Sequence, residues 1–78
     1  MSEQLKEEIA VFCYNILKLR KNARLSQVEM AKKLRIGVRS LRKLEKGELP
    51  PRLGCEIVVY LCKEFSIEPH QLFLPSDL

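Results

Sequence analysis

Between Ser26 and Gly47 the chain fits two short helical patterns and a tight turn into 22 residues, and this stretch constrains the fold more than any other. Ser26 is a good N-cap, and Glu29 follows at the capping-box spacing Ser26-x-x-Glu29. The pattern predicts a helix over 27–34. At ~100° per residue, Met30, Ala31 and Leu34 fall on one side and Glu29, Lys32 and Lys33 on the other. Arg35-Ile36-Gly37 reads as the turn. A second helix is expected over 38–46, with Leu41 and Leu44 inward and Val38, Arg39, Arg42 and Lys43 outward, and with Gly47 as its stop.

The flanks are helical too. The first segment is expected over 3–22, with Ser2 as N-cap and Leu5, Ile9, Phe12, Ile16 and Leu19 at spacings of three and four. Glu48 to Gly54 reads as a loop marked by Pro50-Pro51. A fourth helix is expected over 55–65, with Val58, Leu61, Cys62 and Phe65 as its core face. A short last helix begins at Glu68, with Pro69 at its first position and Leu72 and Phe73 as apolar residues. The short run Ile57-Val58-Val59-Tyr60 continues a helical pattern and is read as buried helix, so the chain is all-α.

At 78 residues this is one domain, with 1–15 as a helical extension and 74–78 as a tail. A domain this small buries only about 60–65% of its unfolded surface, which favours binding at a surface over a deep substrate cleft. Charge is unevenly placed. Residues 18–52 hold twelve of the fourteen basic residues and three of the ten acidic ones, a net +9, and the remainder carries −5. A positive middle between acidic ends suits a polyanion partner. The few aromatics and the absence of Trp argue against a stacking platform for single strands.

Cys13, Cys55 and Cys62 sit inside apolar runs and read as small buried hydrophobes in a reducing cytoplasm. With the only histidine, His70, they are spaced too widely for a metal site, and no cofactor is expected. No paired carboxylates, Ser–His arrangement or phosphate loop points to catalysis, so no catalytic residue is assigned. The N-terminus lacks the basic start of a signal peptide, and no apolar run approaches the ~20 residues that span a bilayer. A cytoplasmic protein without a membrane partner is expected.

A helix, a three-residue turn and a second helix with an Arg/Lys-rich outer face form the layout of a helix-turn-helix, whose second helix lies in the major groove. The stretch resembles the Xre/Cro family of phage-repressor-like DNA-binding domains. The likeness rests on Leu25-Ser26-Gln27-x-x-Met30-Ala31-x-x-Leu34, then Ile36, Leu41, Leu44-Glu45-x-Gly47 and Pro51, with Arg20 five residues before Leu25 and Ile67 and Leu72-Phe73 matching the ending. The resemblance implies a compact five-helix, lambda-repressor-like domain with the motif at helices 2 and 3.

It also implies roles. Gln27 would contact a phosphate and brace the recognition helix. Val38, Arg39 and Lys43 would meet bases, Ser40 and Arg42 would lie near the backbone or flank the bases, and Lys46 would contact phosphate. Arg20 and Glu45 would form an internal salt bridge. Three features depart from the pattern: Arg35 stands where the turn favours glycine, Gly37 replaces the usual Ser or Thr cap, and the loop before the fourth helix is about two residues longer.

The partner so implied is double-stranded operator DNA, bound as a homodimer by a transcriptional regulator or repressor. The apolar N-terminal half of helix one and the Leu72-Phe73-Leu74 end are the candidate pairing surfaces. Two alternatives stay open. One is an antitoxin that represses its own operon and holds a small basic protein. The other is a protein-interaction module on the same fold.

Overall fold

The computed structural model describes residues 3–50 and 53–75, with the side chain of Gln4 excepted. Four α-helices follow in order: α1 Glu3–Asn22, α2 Gln27–Leu34, α3 Val38–Glu45 and α4 Glu56–Phe65. A 3-10 helix, Pro69–Phe73, comes last. No strand occurs among the described residues. The expected cap at Ser2, and the loop residues Pro51 and Arg52, lie outside them.

The fifth element differs from the α-helix expected. Pro69 starts it and Gln71 reaches back to the Glu68 N–H, so a single turn is well capped. Pro75 then forces Leu74 into an extended conformation (φ −102°, ψ 128°), and the turn cannot grow into an α-helix.

Every element contributes to one core. Phe12, Cys13, Ile16 and Leu19 come from α1, Met30, Ala31 and Leu34 from α2, Leu41 and Leu44 from α3, Ile57 and Leu61 from α4, and Leu72 from the 3-10 helix. The apolar stripe of α1 is buried only from its middle onward: Ile9 is half-buried and Leu5 is 45% exposed. A 20-residue helix is about 30 Å long, and near its start Lys6 and Ile9 line a cavity with Gly47 and Leu49. On α4, Ile57 is buried, while Val58, Cys62 and Phe65 are half-buried.

Asn15 carries a contact that helical spacing does not announce. It is fully buried on α1, and its Nδ2 donates to the carbonyls of Leu72 (2.8 Å) and Leu74 (3.1 Å). The rings of Phe12 and Phe73 stack beside it, with centroids 5.3 Å apart. Together these fix the C-terminal turn onto α1.

The cysteines divide. Cys13 is buried as expected and its thiol pKa is pushed up by burial. Cys55 is exposed, against expectation, because it stands just before α4 at the end of the loop rather than within an apolar helix face. Cys62 is half-buried, and its thiol is pushed up by burial and then by the negative charge of Glu68. No described helix is long and apolar enough to cross a membrane.

Candidate nucleic-acid interface

The α2–turn–α3 unit is built from its caps. Ser26 Oγ accepts from the Glu29 N–H at 3.1 Å, and Glu29 Oε1 accepts from the Ser26 N–H at 2.9 Å. The bond from the Ser26 backbone, then the Ser26 hydroxyl, holds the Glu29 carboxyl below its ordinary pKa. At the other end Arg35 adopts the left-handed conformation (φ 58°, ψ 40°). The Ile36 N–H bonds back to the Ala31 carbonyl at 3.0 Å and the Arg35 N–H to Lys32 at 3.2 Å. These bonds close α2 as a glycine-terminated helix would close.

Arg35 takes this strained conformation with a partner: its guanidinium lies over the Tyr60 ring, 4.8 Å from the centroid. Gly37 then serves as the extended N-cap of α3 and has no side chain with which to cap it. Gly47, at φ +89°, terminates the segment after Lys46.

With Leu41 and Leu44 fully buried, the opposite side of α3 must face solvent. Arg39, Arg42, Lys43 and Lys46 are all exposed there. Val38 and Ser40 are half-buried. Val38 packs against the core, so it presents less outward surface than the sequence suggests. Three cations on one short helix and a fourth at its C-cap, with no ion pair formed by any of them among the described residues, make this a strongly positive face.

Behind that face lies a polar network. Arg20 Nε and Nη2 donate to Glu45 Oε2 and Oε1 at 2.6 and 3.0 Å, and Arg20 Nη1 donates to the Leu25 carbonyl at 3.0 Å. Gln27 Nε2 donates to Glu45 Oε1 at 2.9 Å, and Gln27 Oε1 accepts from Arg42 Nε at 3.2 Å. One chain of bonds thus runs from α1 through α3 and the start of α2 to an exposed arginine. Gln27 braces α3, and its carbonyl oxygen is engaged by Arg42. Both the Gln27–Arg42 tie and the Arg35–Tyr60 contact escape the sequence reading. They join different elements, and periodicity within one helix carries no signal for them.

Two short helices at a capped turn, with an inner apolar face and a cationic outer one, define a DNA-binding helix-turn-helix domain. A helix-turn-helix family model matches residues 16–54, half of the chain, from the middle of α1 through the loop that follows α3. The chain belongs to the Xre/Cro-like helix-turn-helix family of DNA-binding regulators. No curated protein and no solved structure matches it. Residues 3–15 lie outside the matched region yet continue α1 without a break.

Proposed function

We propose that this protein is a cytoplasmic transcriptional repressor that binds a specific double-stranded operator as a homodimer. The observation that carries the reading is the outer face of α3, where Arg39 and Lys43 are exposed on a helix whose orientation is fixed by the Arg20–Glu45 pair. Arg39, Lys43 and Val38 read base edges. Arginine or lysine to guanine is the commonest specific contact, and a valine suits a thymine methyl. Arg42, Ser40, Gln27 and Lys46 hold the backbone and set the register. One such motif reaches one half-site, and a second copy supplies the other half about one helical turn away.

The test is selection of bound duplexes from a random pool, followed by anisotropy titration at two salt concentrations. A palindromic site is the expected product. Arg39→Ala then costs about 1–3 kcal/mol on that site and relaxes its sequence preference. Lys46→Ala weakens binding to every sequence and lowers the salt slope by about one unit. If Arg39→Ala leaves specific and random binding unchanged, α3 is not the reading helix. Absence of binding at low salt would point instead to an interaction module on this fold.

A further inference from the structure

One solvent-facing side of α1 carries a pattern that is complementary to its own reverse. Val11 and Tyr14 stand at its centre. Glu7 lies four residues before Val11, and Lys18 lies four residues after Tyr14. At 100° per residue all four fall within a stripe about 60° wide, whose centre lies about 110°, 130° and 170° round the helix from the buried Leu19, Phe12 and Ile16. Glu7 and Tyr14 on it are exposed, and Val11 and Lys18 are half-buried. Tyr14 is 60% exposed, the most open of the large apolar side chains described. Neither Glu7 nor Lys18 forms an ion pair among the described residues.

A shallow groove of about 370 Å3 runs along this stripe, lined by Ala10, Val11, Tyr14, Asn15, Lys18 and Pro75. Asn15 Oδ1 is a buried acceptor that meets no donor. The groove is apolar in its centre and cationic at one end, and the acid that would complement Lys18 lies at the other end of the same helix.

We propose that a second copy of this chain docks on this groove, α1 against α1, antiparallel about a two-fold axis between Val11 and Tyr14. This names the interface of the homodimer proposed above and rests on that reading only for the existence of a dimer. An isologous contact must be self-complementary. The stripe meets that requirement in one register: Val11 faces the partner's Tyr14, Glu7 faces the partner's Lys18, and symmetry repeats both pairs. A parallel pairing would oppose Glu7 to Glu7 and Lys18 to Lys18. Arg20, through which α1 is tied to α3 by Glu45, lies about 150° round the helix from the centre of the stripe, so docking leaves the basic face open. A single helix crossing is a small interface, of the size that gives transient, salt-sensitive pairing.

The experiment is sedimentation equilibrium of the full chain, over about 10 μM to 1 mM, at low and high salt. The wild type self-associates to a dimer, more weakly at high salt. E7K alone and K18E alone each weaken dimerisation about tenfold, since two attractive pairs become repulsive in each variant. The double variant E7K/K18E, with both charges exchanged, restores it. Circular dichroism shows the fold unchanged in all three. A wild type that stays monomeric overturns the proposal, as do single variants that pair like wild type or a double variant that fails to recover. Binding of a single half-site duplex is read in parallel. It tests the DNA-binding reading separately, because one copy bound to half a site needs no α1 contact.

Discussion

The Arg20 guanidinium holds the Glu45 carboxylate with two bonds, Nε to Oε2 at 2.6 Å and Nη2 to Oε1 at 3.0 Å, with both side chains largely buried. The pair ties α1 to α3. Loss of either partner leaves a charge in a site where water is scarce, so Arg20→Ala or Glu45→Ala should cost about 3 kcal/mol of stability. Arg20→Lys should recover little, because a single ammonium cannot reproduce the two-pronged contact and the bond to the Leu25 carbonyl. Urea denaturation of the three variants checks this. A cost below about 0.5 kcal/mol for Arg20→Ala would class the pair with ordinary surface bridges.

Gln27 links that pair to the exposed face of α3. Its amide donates to Glu45 and accepts from Arg42, so it sets where Arg42 stands. Gln27→Ala should lower affinity for all duplexes by about 1 kcal/mol, the worth of an ordered polar contact. Arg42→Ala should do the same, and the double variant should lose little more than either alone. Additive losses in the titrations would mean that Gln27 and Arg42 act independently on DNA.

Most of the frame was legible from residue order. The capping box at Ser26 and Glu29, the apolar spacing of Met30, Ala31 and Leu34, and the stop at Gly47 define α2 and α3 to within a residue, since each is a local rule. The pair Arg20–Glu45 was legible only through family resemblance. What stayed hidden depends on side chains meeting across elements: Tyr60 under Arg35, Arg42 on Gln27, and Asn15 on the carbonyls of the last turn. Leu72 was misread as a candidate pairing residue. It is fully buried, because the 3-10 helix turns it inward and leaves Phe73 and Leu74 at the surface.

Arg35 shows the consequence for the turn. Its left-handed backbone costs on the order of 1 kcal/mol relative to glycine, and its guanidinium over Tyr60 returns about 0.5–1 kcal/mol. Arg35→Gly should therefore be nearly neutral in stability, and Arg35→Ala should be destabilising, since alanine keeps the strain and loses the ring contact. Thermal melts of both variants and of Tyr60→Leu order the two effects. If Arg35→Gly melts well above wild type, the contact with Tyr60 contributes little.

Glu29 gives the acid limb of stability its sign. Its folded pKa lies below the ordinary value, mainly through the Ser26 backbone N–H, while in the unfolded chain it returns to about 4.3. The unfolded state then binds the proton first, so the contribution is present above that ordinary value and is lost as pH falls through the folded one. Glu29→Gln, which keeps an acceptor at the same spacing, should flatten the stability profile below about pH 4.3 and leave the neutral region little changed. Parallel profiles for variant and wild type from neutral pH down would show that Glu29 does not titrate with folding.

Gly37 offers the opposite experiment, a gain. It caps α3 in an ordinary extended conformation (φ −72°, ψ 152°), and a Cβ built there meets no atom within 4 Å. Nothing in the backbone requires glycine. Gly37→Ser should stabilise the protein by about 0.5–1 kcal/mol, through a cap bond to the first turn of α3 and a less flexible unfolded chain. The hydroxyl also stands at the entry to the proposed reading helix, where a phosphate oxygen would lie. Affinity should rise about two- to threefold for specific and random duplexes alike, because backbone contacts carry no sequence information. A stability gain without any change in affinity would place the N-terminus of α3 away from the DNA backbone and would require a different docking angle for the helix.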